Sequence, residues 1–522
     1  MTSATMRSIV LAGIVALGAR HSALGAQSAP AGKAAYDRWC AECHGETGAG
    51  DGSAAAFMLP RPRDFTKGVY QIRTTASGAL PTRDDLRRVI DEGMPGTAMP
   101  GWKGKLSERE RDAVIEYLET FSRFFQGERP APIEVPGAPG GDGAEEGRAV
   151  YRKLECFKCH GDAGRGDGPS APTLTDDWDH PIRAADLSES WHFTGGASVR
   201  DIYVRLRTGL DGTPMPSFTD AVEGGLISDE ELWRVAQYVR SLSPAEPPEV
   251  REVVRARRVE GALPAGPDDG AWAAAEAHYV PLVGQIVVAP RWFTPTVDGV
   301  WVQALHDGER LAMLVRWHDP SRSPDAAWDE WLGRMRQTVT DADGAHDGAH
   351  GPDVLVVQLP TSAGGGDELP YFLGGSARRP AHLWRWTSDA DRAIEGTATG
   401  LDRFVARAGP SELTAASRHE LGEWRVQLTR ALAPADTSAA PRIPVGRTMP
   451  IAFRASDGSS GEGDVRTAVS AWYALHLEVP TPPRVYVAPA ATMLLTAALG
   501  VFVVRRAQRR ERDPARPTME ES

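Results

Sequence analysis

The sequence predicts a multidomain chain: two all-α units, then an all-β sandwich, then one C-terminal transmembrane helix. Three observations carry this. A Cys-x-x-Cys-His pattern occurs twice, at 40–44 and 156–160, and each copy sits in a longer repeat. Short apolar runs broken by Gly and Pro fill 269–480. An uncharged, mostly apolar run covers 487–504. At 522 residues the chain has room for several domains. A net charge of −12 argues against a nucleic-acid partner and suits a basic docking partner instead.

The N-terminus reads as a signal peptide over 1–26. Arg7 precedes an apolar run over 9–19, and small residues lead to Ala26. The apolar core is too short to span a bilayer. The chain is expected to be exported.

Cys40, Cys43, Cys156 and Cys159 are the four cysteines of the chain, and His44 and His160 follow the pairs. This is the attachment pattern of c-type haem. Two thiols add to the haem vinyl groups, and the adjacent His binds the iron. A redox dithiol or half a zinc site also uses Cys-x-x-Cys. Zinc needs further ligands at other spacings, and two copies that consume every cysteine favour haem. Covalent haem attachment also places the chain outside the energy-transducing membrane.

An offset of 116 superposes the copies. Gly45 falls on Gly161, Gly50-Asp51-Gly52 on Gly166-Asp167-Gly168, and Met99-Pro100 on Met215-Pro216. The His-to-Met separation is 55 residues in both, which reads as a gapless repeat. A His/Met pair is a common haem ligation that raises the potential. Met99 and Met215 are therefore the candidate second axial ligands. Met94 is the competitor in the first copy, but it falls on Leu210. Each unit closes with a helix. Ser107 with Glu110, and Ser228 with Glu231, form capping boxes ahead of apolar stripes. Both units resemble class I cytochrome c domains, over 33–125 and 144–243. Pro- and Gly-rich stretches at 129–143 and 244–268 read as linkers.

In 269–480, the runs 300–305 and 311–317 flank Asp307-Gly308 and predict a β-hairpin. Further strands are expected at 354–359, 381–386, 424–428, 451–455 and 471–477. The succession of segments at 298–305, 316–320, 353–360, 371–375, 382–386 and 470–472 resembles the haem-b-binding domain of ethylbenzene dehydrogenase. That family includes gamma subunits of respiratory molybdenum enzymes. The resemblance implies molybdopterin and iron–sulfur subunits as partners, of the nitrite oxidoreductase or nitrate reductase type. It also implies a Met and a Lys around haem b. Leu373 stands at the Met position and Arg466-Thr467 at the Lys position, and no lysine follows Lys158. Arginine does not replace it, because its guanidinium keeps its proton. The expectation is two covalent haems c and no haem b. Met313, Met335, His318, His382 and His476 are the residues a re-liganded site would draw on; His346 and His350 lie in a Gly/Asp-rich loop.

The run 487–504 is just long enough to span, and Arg505, Arg506, Arg509, Arg510 and Arg512 follow it. The bulk is expected on the periplasmic face, with the tail 505–522 in the cytoplasm. The expected function is electron transfer rather than enzymatic catalysis, since the haem supplies the chemistry and both irons have two ligands. The other readings are a cytochrome fused to a carbohydrate-binding-like β-sandwich, or a cytochrome subunit of another respiratory complex. Exposed aromatics such as Trp384 and Trp386, two apart on one strand, would favour the former.

Overall fold

The computed structural model describes residues 31–341, 344–345, 348–361, 369–409, 411–436, 440–480 and 484–512. The signal-peptide segment 1–26, His346 and residues 513–522 of the tail lie outside the described residues.

The first unit opens with α1 over 31–39 and the short α2 (Ala41–His44), then α3 (Arg83–Glu92) and α4 (Glu108–Leu118). The second contains α5 (Ala144–Lys153), α6 (Phe157–His160), α7 (Val199–Thr208), α8 (Thr219–Glu223) and α9 (Asp229–Ser241). Both expected capping boxes form, at Ser107/Glu110 and Ser228/Glu231. Two more start α3 and α7, at Thr82/Asp85 and Ser198/Asp201. Each box satisfies orphan N–H groups at a helix start.

The first and last helices of each unit cross at a glycine. A Cβ on Gly32 would lie 2.1 Å from the Ala113 carbonyl, and one on Gly147 would lie 1.9 Å from that of Arg234. Tyr36, Val114, Ile115 and Leu118 then pack with Leu86 and Ile90. Tyr151, Val235, Ala236 and Val239 do the same with Ile202 and Leu206.

The third region is a large mixed β-sheet region. Its strands are β1 (Val253–Arg258), β2 (His278–Pro281), β3 (Val283–Gly284), β4 (Gly299–His306), β5 (Arg310–His318), β6 (Thr340–Asp341), β7 (Gly344–Ala345), β8 (Val354–Pro360), β9 (Ala381–Thr387), β10 (Arg392–Ala398), β11 (Phe404–Ala406), β12 (Thr414–Glu420), β13 (Glu423–Ala431), β14 (Thr448–Ser456), β15 (Ala468–Val469) and β16 (Tyr473–Leu477). A helix, α10 (Asp329–Thr338), interrupts them; Trp331, Leu332 and Met335 form its buried face. The strand order is β11-β10-β9-β8-β14-β16-β1-β4-β5-β13-β12. The β4–β5 hairpin turns at Gly308, whose φ of 102° only glycine adopts without strain.

β14 is the corner. Thr448–Ile451 pair with β16, and Ala452–Ser456 pair with β8. The two halves therefore fold face to face, with Trp317 of β5 6.0 Å from Trp386 of β9. Trp384 and Trp386 are buried, so they form no exposed aromatic platform. The expected linker 244–268 is corrected in part. Its Val253–Arg258 segment is β1, parallel to both β16 and β4. Alternating arginines hid that strand, because only Val254 and Ala256 point into the core.

The final helix, α11, runs Arg484–Arg512 and so extends past the apolar run into the arginine cluster. It is apolar and long enough to be a candidate span. Thr492 and Thr496 donate their hydroxyls to the carbonyls of Ala488 and Thr492, both at 2.8 Å, leaving no side-chain donor unmet there.

Candidate functional site

Each Cys-x-x-Cys-His segment folds as one helical turn, α2 or α6, closed by a glycine. Gly45 and Gly161 have φ of 79° and 77°, and a Cβ on either would strike the Asp51 or Asp167 carboxylate. Tyr36 and Tyr151 donate their hydroxyls to the Gly45 and Gly161 carbonyls, both at 2.7 Å. The two tyrosines are 115 apart, one short of the repeat, because Glu155 enters before Cys156 with φ of 59°.

His44 Nδ1 lies 3.1 Å from the Arg63 carbonyl and His160 Nδ1 3.0 Å from that of Ala185. An Nδ1–H donated to a carbonyl fixes the tautomer and leaves Nε2 for a metal. Burial lowers the pKa of both imidazoles, which favours the neutral form a ligand needs. Burial pushes the Cys40 and Cys156 thiols up to about 12. Paired thiols beside a neutral imidazole fit haem attached by two thioether bonds.

The methionine loops match bond for bond. Met94 N donates to the Met99 carbonyl at 3.0 Å, and Leu210 N to that of Met215 at 3.1 Å. Thr97 and Thr213 each donate a hydroxyl three residues back, at 2.7 Å. Both methionines face the same cavity as the cysteines and histidines. Met94 faces it too, as does Leu210.

That cavity is single. About 1320 Å³ of continuous space is lined by Cys40, Cys43, His44 and Met99 of one unit and Cys156, Cys159, His160 and Met215 of the other. Thr296, Asp298 and His318 of the third region wall it as well.

The gapless repeat is corrected here. His44 reaches a carbonyl 19 residues on, and His160 one 25 residues on. Asp64 and Asp186 make the same turn with Thr66 and Ser188, yet are 122 apart rather than 116. The second unit gains six residues before this point and loses six after it. The unmatched pieces are where the units grip each other. In the first unit, Arg73 is fully buried; it donates to the Thr208 carbonyl at 2.6 Å and pairs with Asp211 at 2.7 Å. Gly78 N also donates to Asp211, at 2.8 Å. In the second, Trp178 lies under the Arg63 guanidinium, 4.9 Å away. Equal total spacing concealed all of these.

The third region docks on the second unit through charge. His318 lies 2.5 Å from Asp186 and 3.2 Å from Glu189; His192 lies 3.2 Å from Glu189 and from Asp298. Burial opposes charge on His318, but the two carboxylates outweigh it and hold its pKa at about 10. Arg165 pairs with Glu423 at 3.2 Å. Among the residues a haem b site would draw on, Met313 and Met335 are fully buried in apolar cores. His382 pairs with Glu395; His350, in the Gly/Asp-rich loop outside that set, pairs with Asp329. Leu373 is packed with Leu401 and Val469, against Phe372 and Val465. Carbon thus fills the place where the resemblance puts a thioether ligand.

A family model described as cytochrome c oxidase, cbb3-type, subunit III matches residues 27–118, and one described as cytochrome c matches 144–243. The chain is 27% identical over 220 residues to the cbb3-type cytochrome c oxidase subunit CcoP of Rhodobacter capsulatus, covering 41% of this chain and 61% of that one. It thus spans about three fifths of that relative's length. A chain of the Kuenenia stuttgartiensis reducing HAO-like protein complex is 44% identical, with 41% of this chain and 96% of that chain covered and a TM-score of 0.38. A family 9 carbohydrate-binding module of Caldicellulosiruptor kristjanssonii in complex with glucose aligns at 11% identity over 44% of this chain and 97% of that one, with a TM-score of 0.25. Two segments of the chain are thus cytochrome c-type domains, which imply covalently bound haem c at Cys40/Cys43 and Cys156/Cys159.

Proposed function

We propose that this chain is a membrane-anchored dihaem electron-transfer subunit of a periplasmic respiratory complex. Cys40 and Cys43, with His44 and Met99, would hold one haem; Cys156 and Cys159, with His160 and Met215, would hold the other. Each haem supplies a one-electron couple, and the protein sets its ligands and its burial. The observation that carries the reading is the single cavity shared by both ligand sets. A shared cavity suits transfer between two haems within one chain. The third region, by walling that cavity, belongs to the redox unit rather than accompanying it. No residue of the chain is assigned a bond-making role.

The finer setting is a molybdopterin oxidoreductase with separate catalytic and iron–sulfur subunits. What supports it is the order of the ethylbenzene dehydrogenase-like segments, which fall in succession on β4, β5, β8, the 371–375 turn, β9 and the entry to β16. Haem b is not part of this proposal. α11 is proposed as the anchor, with its arginines on the cytoplasmic side.

Purification of the tagged full-length chain from native membranes tests this. Two covalent haems, no acid-acetone-extractable haem, and co-purifying molybdenum and iron–sulfur subunits are expected. An oxidase core in place of molybdenum would overturn the molybdopterin setting and leave the dihaem reading standing. Deleting 484–512 is expected to release a soluble dihaem protein; retention in salt-washed membranes without partner subunits would remove the single-anchor reading.

A further inference from the structure

Three buried aspartates meet at one end of the sheet region. Asp319 follows the last residue of β5, Asp353 precedes the first of β8, and Asp457 follows the last of β14. They are 0%, 0% and 1% exposed, and one oxygen from each lies within 4.8 Å of the others. A fourth acid, Glu462, is buried beside them and accepts from Asp457 N at 3.0 Å.

Most of their oxygens are held by donors. Asp353 accepts from Ser323 N at 2.7 Å, Trp424 Nε1 at 3.0 Å and Gly458 N at 3.0 Å. Asp457 accepts from Ser459 N and Ser460 Oγ, both at 2.8 Å, and from Ser323 Oγ at 3.4 Å. Asp319 differs. Its Oδ1 accepts from Ser321 N at 3.2 Å, but its Oδ2 is buried with no hydrogen-bond partner. An orphan buried oxygen on an aspartate beside two more carboxylates is costly to keep as an anion unless a cation shares the site; the alternative is a proton. Arg183 is half-buried nearby, but its guanidinium donates to Thr296 Oγ1 at 2.8 Å and Ser460 Oγ at 3.0 Å. One such charge does not balance four carboxylates.

We propose that Asp319, Asp353 and Asp457 bind a calcium ion that ties β5 to β8 and β14 beside the second cytochrome unit. All-oxygen donors select a hard cation. Oxygens bound to one calcium at about 2.3–2.6 Å lie at most about 5 Å apart, which this cluster satisfies. The hydroxyls of Ser323 and Ser459, 2.7 Å apart, add neutral oxygens beside it. Magnesium prefers to keep several waters, which a fully buried site does not supply. The site also has a consequence for docking. His318, which clamps Asp186 and Glu189 of the second unit, is the neighbour of Asp319, and Arg183 of that unit reaches Ser460.

The test uses the haem-loaded, full-length protein in detergent, dialysed against metal-free buffer. Elemental analysis is expected to find one calcium per chain. Chelation should lower the melting temperature of the sheet region by about 5–10 °C, and calcium but not magnesium should restore it. Asp319→Asn should retain no calcium and ignore the chelator. If that variant fails to fold, the wild-type measurements decide alone. Wild-type protein without calcium and without a thermal response, retention of a different metal, or calcium kept by Asp319→Asn would each overturn the proposal.

Discussion

The two cytochrome units have the same His-to-Met length and different paths between the ends. At the ends the match is close: the Gly-closed turns, the tyrosine hydroxyls, the methionine loops and two capping boxes each recur. In the middle, the first unit spends its residues on the Arg73 loop and the second on the hairpin that carries Trp178. Those two pieces form the joint between the units. After the methionine the second unit lengthens again, because α8 is inserted and the capping serines Ser107 and Ser228 stand 121 apart. Features at the haem are shared, and features that face a neighbour differ. The lesson is that a conserved spacing fixes the site at its two ends and says nothing of the route.

If the unmatched loops are the joint, Arg73 is its centre. Its guanidinium reaches Tyr70, Thr208 and Asp211, with no exposure to water. Arg73→Ala leaves the Thr208 carbonyl and Asp211 without that partner. A loss of about 3–5 kcal/mol is expected, seen as separation of the two units' unfolding transitions with haem absorbance retained. A single unchanged transition would mean that the joint is held elsewhere.

The shared ends predict equal behaviour at the ligands. Met99→Ala and Met215→Ala should each lower one haem's potential by about 100 mV or more, equivalent to about 2 kcal/mol for one electron. Exogenous ligands should then bind that iron. Met94→Leu copies the second unit's Leu210 into the first and should leave both potentials unchanged. A potential drop on Met94→Leu, without one on Met99→Ala, would show that the repeat misassigns the ligand.

These differences also show what the sequence could and could not reveal. The Cys-x-x-Cys motifs were legible because covalent attachment demands fixed residue types at fixed spacing, whereas the methionine assignment rests on the repeat. Two of the four capping boxes are visible as Ser-x-x-Glu; the other two carry Asp at the third position, which the Glu/Gln pattern does not mark. The hairpin at Asp307-Gly308 and the cores of β8, β9, β13 and β14 were legible from apolar runs. β1 was not, since its exposed arginines read as linker. Nor were the joints. Arg73 with Asp211, and His318 with Asp186 and Glu189, join residues far apart in the chain, and nothing in local pattern marks such partners. The aspartate cluster escaped for the same reason, because its members come from three separate strand ends.

The equivalent capping acids give a smaller contrast. Asp85 turns inward to Thr74, at 3.0 Å from its N–H, whereas Asp201 reaches Arg88 of the first unit at 2.9 Å. Burial opposes charge on Asp201, but the Ser198 hydroxyl and the Arg88 guanidinium outweigh it and hold its pKa below the usual carboxylate range. A group with a depressed pKa stabilises the fold above its unfolded value, about 3.9, and loses that contribution as pH falls through the folded value. Arg88 is partly exposed, so water screens the pair. Asp201→Asn should cost about 0.5–1 kcal/mol at neutral pH and flatten the acid limb below about pH 4. An acid limb that is unchanged in the variant would place the titrating group elsewhere.

The smallest expected difference between the units is also the strictest comparison. Ser107 and Ser228 cap α4 and α9 with the same box. Glu110 N donates to Ser107 Oγ at 3.3 Å, and Glu231 N to Ser228 Oγ at 3.1 Å. The return bonds, from each serine N–H to the glutamate, are 2.9 and 2.8 Å. The surroundings differ, since α8 precedes Ser228 and has no counterpart before Ser107. A cap acts within the first helical turn, so its contribution should not depend on what comes before. Ser107→Ala and Ser228→Ala should therefore each cost about 1 kcal/mol in chemical denaturation. A cost at Ser228 more than about 1 kcal/mol above that at Ser107 would show that the inserted α8 relies on the α9 cap for its own placement, and that the units differ at their helical frame as well as at their joint.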